Sequence, residues 1–246
     1  MRKFFVFLTL VIQLFAFMSM AYGASAKAAP GANEQSAEKA LKQTFPRFNF
    51  TNFRKTPVQG IYEVDMGGQV IYFSPQGYLF FGDLYSKAGQ NLTAERKQEL
   101  MAAVAKDLPL NEAIKIGDGP KKILEFADPV CPFCRRAYAH LARRKDITMY
   151  VFLFPLARIH PQAVAMSRYI LCSADPAKAF DRAMEGKLDD KELKVPAGCT
   201  GANTTLDEDI GAGKKAGVSG TPAFFINGRF VNGANLPLID KLLSAK

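Results

Sequence analysis

Two cysteines in a Cys-x-x-Cys pattern are the residues of this 246-residue chain whose types and spacing most clearly predict chemistry. The segment Cys131–Cys134 reads Cys-Pro-Phe-Cys; it follows an apolar run at 123–126 that favours a strand and precedes a segment typical of a helix. A helix N-terminus offers unpaired N–H groups and the positive end of the helix dipole, which lower the pKa of a thiol. The pattern therefore predicts a reactive thiol site.

The two cysteines are expected to have different roles. Cys131 lies at the start of the predicted helix, so its pKa should fall below the ordinary value of about 8.5 and make it the nucleophile toward a substrate disulfide. Cys134, on the same helical face and more buried, should resolve the mixed disulfide. Arg135 and Arg136 are compatible with a charge that stabilises the thiolate or with ordinary solvated helix residues.

A lone Cys-x-x-Cys is also compatible with half of a zinc site. A cysteine near a histidine is compatible with a Cys-His hydrolase. A structural zinc site needs four ligands at recognisable spacing. Besides Cys172 and Cys199, the chain offers only His140 and His160. His140 is interpreted as a surface or packing histidine on a basic helix. We therefore expect no metal and no cofactor.

The first residues have the layout of a secretory signal peptide. Arg2 and Lys3 precede an apolar stretch at 4–20 and small residues at 21–26. A membrane anchor is the alternative, but the stretch is at the lower limit for spanning and no basic flank follows it. We predict a cleaved signal peptide over 1–23, export, and no stable membrane anchor.

Export changes the interpretation of the four cysteines, because disulfides persist outside the cytosol. Three pairings are possible. Neighbours in a Cys-x-x-Cys pair readily, which leaves Cys172 with Cys199 as the second bridge. This bridge is expected to be structural rather than catalytic.

The net charge of +9 raises the question of an anionic partner. Basic residues are spread along the chain among acidic ones and cluster only at 135–136 and 143–145. This distribution predicts no nucleic-acid binding.

The N-terminal part of the chain predicts a small antiparallel sheet. A helix is expected at 34–43, and three strands at 62–66, 69–73 and 78–81, joined by Gly67-Gly68 and the turn 74–77. The second and third strands are apolar on both faces, so something must cover the second face. Either the helix at 34–43 or a second copy of the domain would do so.

The remainder predicts a linker helix and an alternating second domain. A helix at 93–107, capped by Thr93 and stopped by Pro109, is interpreted as the linker. Beyond it, strand and helix patterns occur in the order β-α-β, a helical block, then β-β-α, which is the thioredoxin architecture with an all-helical insertion. The predicted strands are 122–126, 147–154, 223–227 and 229–231; the predicted helices are 132–144, 161–174, 176–186, 206–216 and one from 236.

Of two further motifs, one is interpreted as functional and the other is rejected. Thr221-Pro222 precedes the final β-β-α unit, and a cis X-Pro bond at a strand start would present a backbone edge to a partner. The segment Gly211–Lys215 suggests a phosphate loop but lacks the required spacing and the Ser or Thr after lysine, so it is rejected.

Taken together, the Cys131–Cys134 segment, the Gly217–Pro222 segment and the Cys172/Cys199 pair resemble those of the periplasmic thiol:disulfide interchange proteins of the disulfide bond isomerase C/G family. The resemblance covers the mature chain. It implies an α+β, cystatin-like N-terminal dimerisation domain at 24–90, a linker helix and hinge at 91–117, and an α/β thioredoxin-like catalytic domain with a helical insertion at 118–246.

The same resemblance implies a V-shaped homodimer that holds misfolded exported proteins with non-native disulfides in an apolar cleft. Cys131 would be the nucleophile and Cys134 the resolving thiol. Thr221 and Pro222 would form the substrate-binding cis-proline loop, and Cys172 with Cys199 the structural disulfide. An inner-membrane thiol reductase would keep the thiols reduced.

Pro132-Phe133 departs from the Gly-Tyr of the best-known members, and an aromatic in that position also occurs in G-type relatives linked to reduction of sulfenic acids. The expected function is thus a periplasmic disulfide isomerase or reductase. A client-binding chaperone with incidental redox activity, a sulfenic-acid reductase and a net oxidase are the alternatives.

Overall fold

A computed structural model describes residues 33–245 of the chain. The predicted signal peptide at 1–23 lies outside the described residues. The described part divides into two compact units, whose main boundary lies between Phe81 and Gly82. Within the described residues, no helix has the length and apolar character that crossing a bilayer requires.

The N-terminal unit contains one helix and a four-stranded sheet with strands in sequential order. Its elements are α1 (Glu34–Thr44), β1 (Thr51–Lys55), β2 (Tyr62–Met66), β3 (Gln69–Ser74) and β4 (Tyr78–Phe80). The expectation of three strands was wrong, because β1 was missed. This edge strand reads Thr-Asn-Phe-Arg-Lys and buries little, so it lacks the apolar signal of a strand.

Strand β1 is held by pairs of side chains that local sequence does not reveal. Arg54 forms an ion pair with Glu63 of β2, and the ring of Phe53 stacks on Tyr62 at 5.1 Å. Such cross-strand pairs are the unit of sheet stabilisation. Helix α1 buries Leu41 against Val64 and Phe73, so it covers one face of the sheet.

The second unit is built on a five-stranded sheet of order β5-β7-β6-β8-β9, in which β6 and β7 are parallel and the other neighbours antiparallel. Its strands are β5 (Ile114–Ile116), β6 (Lys121–Ala127), β7 (Ile147–Leu153), β8 (Ala223–Ile226) and β9 (Arg229–Asn232). Its helices are α2 (Leu92–Lys106), α3 (Pro132–Leu141), α4 (Ala163–Leu171), α5 (Pro176–Met184), α6 (Gly201–Lys215) and α7 (Leu236–Ser244). The three-residue strand β5 was not predicted.

Both faces of this sheet are covered, as the near-continuous apolar pattern of β7 predicts. Met149, Val151 and Leu153 face one core, which includes α3, α4, α5 and α7. Phe152 alternates with them and faces a second core that includes part of α2. The sheet therefore holds the end of β6, and the cysteines that follow it, on a rigid support.

Helix α2 begins differently from the prediction. Asn91, not Thr93, is the N-cap, and its side chain accepts a hydrogen bond from the N–H of Ala94. Thr93 is buried, and its hydroxyl accepts the N–H of Leu84 at 2.7 Å. The two residues are both good caps and lie two positions apart, so sequence alone could not separate them.

Candidate active site

The strand-turn-helix geometry places Cys131 at the start of α3. Strand β6 ends at Ala127, and Cys131 is the N-cap of the helix with extended backbone (φ −66°, ψ 123°). Pro132 takes the first helical position, where a missing N–H costs nothing. No side chain caps the helix. The free N–H groups of the first turn are therefore directed toward the Cys131 sulfur.

Cys131 and Cys134 are both thiols, and both are buried; only 3% of Cys131 is exposed. The hydrogen bond from Cys134, with the backbone N–H groups of the first turn, lowers the pKa of Cys131 to about 5 despite burial. Burial raises the pKa of Cys134 far above its usual range, and the Cys131 thiolate raises it further. At neutral pH the pair is therefore one thiolate and one thiol.

The loop before β8 lies beside the nucleophile. The Thr221–Pro222 peptide bond is cis, and the Thr221 carbonyl oxygen is 3.6 Å from the Cys131 sulfur. The Thr221 hydroxyl oxygen is buried, and the Thr221 side chain contributes to lowering the pKa of Cys131. The structure thus brings Cys131, Cys134 and the Thr221-Pro222 loop together.

Cys172 and Cys199 form a disulfide with an S–S distance of 2.08 Å. Cys172 ends helix α4, and Cys199 precedes helix α6 by two residues. The bond therefore joins the end of α4 to the start of α6, on either side of α5.

One acidic residue near the thiols was not predicted from the sequence. Glu125 of β6 is fully buried, and neither of its carboxylate oxygens has a hydrogen-bond partner among the described residues. Burial raises its pKa to about 8, and its charge contributes to the raised pKa of Cys134. A single acid inside an apolar strand was the available signal.

The two arginines after Cys134 have separate partners. Arg135 donates to the Pro129 carbonyl at 3.0 and 3.1 Å and forms a two-bond ion pair with Asp189 at 2.6 Å. Asp189 thus neutralises the charge of Arg135. The Arg136 guanidinium lies 5.4 Å from the centre of the Phe133 ring. Phe133 is 55% exposed, so an aromatic and cationic surface stands next to the thiols.

Among residues 33–245, no three His, Cys, Asp or Glu side chains gather in a way that could hold a metal ion. A thiolate beside a second thiol can attack a disulfide sulfur and can then be released by its neighbour.

Two family models match the chain. The disulfide bond isomerase protein N-terminal domain matches residues 26–94, and a thioredoxin-like domain matches residues 110–238. The predicted combination of an α+β N-terminal domain and a thioredoxin fold is confirmed.

Curated relatives agree with these matches. A probable thiol:disulfide interchange protein DsbC of Bordetella avium is 34% identical over 70% of this chain and 60% of the relative. That of Bordetella pertussis is 31% identical over 84% of this chain and 72% of the relative. The thiol:disulfide interchange protein DsbG of Escherichia coli is 28% identical over 59% of this chain and 64% of the relative. The chain therefore belongs to the DsbC family of thiol:disulfide interchange proteins, a family of thiol-disulfide oxidoreductases.

Proposed function

We propose that this protein is a periplasmic disulfide isomerase and reductase that acts on non-native disulfides of exported proteins. The observation that carries the proposal is the opposite acidity of two adjacent thiols. Cys131, with a pKa of about 5, is a thiolate at neutral pH, whereas burial keeps Cys134 protonated. The signal-like sequence at 1–23 supports export.

The reaction begins when the Cys131 thiolate attacks one sulfur of the substrate disulfide. A mixed disulfide forms, and the other substrate sulfur leaves as a thiolate. A second substrate thiolate can then attack the mixed disulfide, which forms a new substrate disulfide and restores Cys131. No net oxidation or reduction occurs in this route.

Reduction is the competing route. Cys134 loses its proton and attacks the Cys131 sulfur, which releases the substrate dithiol and leaves a Cys131–Cys134 disulfide. The raised pKa of Cys134 makes its thiolate scarce and slows this step. Substrate thiols therefore have time to rearrange before release. We propose that an inner-membrane thiol reductase returns the disulfide to two thiols.

The proposed assembly is a homodimer formed by the N-terminal domain at 24–90, with 91–117 as linker and 118–246 as catalytic domain. The match to an isomerase N-terminal domain supports it. Exposed aromatic residues on and after β4 support it as well, namely Tyr78, Phe80, Phe81 and Tyr85. A client-binding chaperone activity rests on the same apolar surface. In the catalytic domain, Thr221 and Pro222 are proposed to bind the substrate chain beside Cys131.

A sulfenic-acid reductase of the G type is the second candidate. It is supported by the similarity to DsbG of Escherichia coli and by the aromatic Phe133 between the cysteines. In that reaction the Cys131 thiolate would attack the sulfenic sulfur and expel hydroxide, which takes up a proton from solvent to give water. Cys134 would then attack the mixed disulfide, which releases the substrate thiol and leaves a Cys131–Cys134 disulfide.

Recovery of activity from a scrambled disulfide substrate tests the proposal. Cys131→Ser should abolish reshuffling, because the attacking sulfur is lost. Cys134→Ser should retain the first attack and accumulate mixed disulfides that mass spectrometry detects. Reshuffling by Cys131→Ser at the wild-type rate would refute the assignment.

The double Cys131→Ser, Cys134→Ser variant is the control for binding without redox chemistry. If it still suppresses aggregation of a reduced client, chaperone activity is separate from the thiols. The second candidate is tested by mixing the wild-type protein with a small-molecule sulfenic acid and measuring the rate at which that compound is reduced.

A further inference from the structure

The side chain of Asp128, three residues before Cys131, joins the two loops next to the thiols. Its carboxylate is completely buried. One oxygen accepts the N–H of Val130 at 2.8 Å. The other accepts the N–H of Leu156 at 2.8 Å and lies 2.9 Å from Nδ1 of His160. Because a carboxylate only accepts hydrogen bonds, Nδ1 of His160 carries the hydrogen.

The backbone of Asp128 contacts both cysteines. Its carbonyl oxygen accepts the N–H of Cys131 at 3.1 Å. Its N–H is directed toward Cys134 and lowers the pKa of that thiol, against the larger effect of burial. Any movement of Asp128 therefore moves a partner of each thiol.

His160 lies in the loop between β7 and α4, and its own backbone is well held. Its N–H donates to the Leu156 carbonyl at 2.8 Å, and its carbonyl accepts the N–H of Ala163 at 3.0 Å. The imidazole is thus a fixed donor, and it completes the set of three donors around the Asp128 carboxylate.

We propose that His160 is a positioning residue for the redox pair, acting through Asp128 to hold the backbone that contacts Cys131 and Cys134. The inference rests on the proposed function of these two thiols. It assigns His160 no contact with the substrate. Its role is to keep the reduced state aligned, since the oxidised state is already held by the Cys131–Cys134 bond.

The chain supplies a matched control. Its only other histidine, His140, also pairs with an aspartate, with Nε2 3.0 Å from both carboxylate oxygens of Asp240. Asp240 lies on α7, and its carboxylate also binds Arg144 at 3.3 Å. Removal of His140 therefore breaks a similar pair that does not hold the cysteine loop.

The test is equilibration of the full mature protein with glutathione buffers at pH 7. The protein disulfide and two reduced glutathiones give the dithiol and one oxidised glutathione. Alkylation and peptide mass spectrometry measure the equilibrium constant for the Cys131–Cys134 couple, and thiolate absorbance against pH measures the Cys131 pKa. Loss of the hydrogen bond from His160 to Asp128 disfavours the reduced state. We expect His160→Ala to lower the equilibrium constant about tenfold, or about 30 mV for two electrons, and to raise the Cys131 pKa by about one unit.

The conservative variant separates positioning from bulk stability. The amide of His160→Asn can donate from nearly the position of Nδ1, so this variant should stay within about twofold of wild type, as should His140→Ala. Thermal unfolding is measured alongside. A His160→Ala protein that is less stable but has an unchanged equilibrium constant overturns the inference, and so does a His160→Asn protein shifted as far as His160→Ala.

If His160→Ala does not fold, His160→Gln replaces it under the same criteria, because its amide is displaced by one bond. A wild-type protein whose Cys131–Cys134 couple does not exchange with glutathione contradicts the proposed function itself. Normal wild-type exchange with no effect at position 160 contradicts only the positioning role.

Discussion

Cys131 and Cys134 are three residues apart, yet their surroundings move their pKa values in opposite directions. The difference arises from position on the helix. Cys131 caps α3 and meets free N–H groups, whereas Cys134 is one turn further and lies in the core, where the charge of Glu125 also raises its pKa. The Cys-x-x-Cys motif and its position at a helix start predict the lowered pKa of Cys131. The raised pKa of Cys134 depends on burial and on a carboxyl group from the neighbouring strand.

The raised pKa of Glu125 predicts how the free energy of unfolding changes with pH. Its pKa is about 8 in the folded protein and about 4.3 in an unfolded chain. The folded state thus holds a proton that the unfolded state releases between these values. Stability from this group is fully present below pH 4 and is lost as pH rises through 8. At about 1.4 kcal/mol per pKa unit, the loss is roughly 3–5 kcal/mol.

Glu125→Gln removes the titrating group while keeping its shape. We expect the variant to match wild type near pH 4 and to exceed it in free energy of unfolding at pH 8.5, as measured by urea denaturation. Glu192→Gln, at an exposed position, is the control and should change little. An identical pH dependence for Glu125→Gln and wild type would contradict burial of an unpartnered carboxyl group.

Helix α6 shows how a single element is tied to the sheet through small and polar residues. Asp209 is buried and accepts the N–H of Leu153, at the end of β7, at 2.7 Å. Burial raises the pKa of Asp209 to about 7. Gly213 lies where a Cβ would be 2.6 Å from the Phe154 ring. Both glycines of the rejected phosphate-loop motif therefore lie in a helix, and Gly213 packs against the sheet.

Two glycines of α6 give opposite predictions for the same substitution. Gly213→Ala should destabilise the protein, because overpacking against fixed rings costs about 1–3 kcal/mol. In Gly211→Ala the new Cβ meets nothing within 4 Å, so the higher helix propensity of alanine should stabilise by up to about 1 kcal/mol. Thermal denaturation of both variants compares them directly. Equal midpoints would show that α6 is not packed closely at Gly213.

The proposed homodimer forms through the N-terminal unit. Phe81 and Tyr78 are 68% and 64% exposed, and β4 is an edge strand of the sheet formed by the described residues. Exposed aromatic residues on a sheet edge are typical of an interaction surface.

The homodimer is tested by sedimentation velocity. The wild-type protein should sediment as a dimer, and Phe80→Asp should shift it toward monomer, because a charge enters an apolar interface. Val195→Asp, at an exposed apolar position in the helical insertion, should leave the dimer intact. A wild-type monomer at micromolar concentration would refute the proposed assembly.

The amino-acid order alone predicted the fold class, the helix start at Cys131 and the alternation of strands and helices. These rest on local signals: periodicity, turn residues and the spacing of cysteines. It did not predict β1 or β5, because short edge strands bury too little to leave an apolar pattern. Nor could it assign Glu125, Asp128, His160 or Asp189 to the thiol site. Asp128, His160 and Asp189 bind groups that are distant in sequence, and Glu125 is buried without a hydrogen-bond partner among the described residues. Only packing of the chain places these four residues around the cysteines.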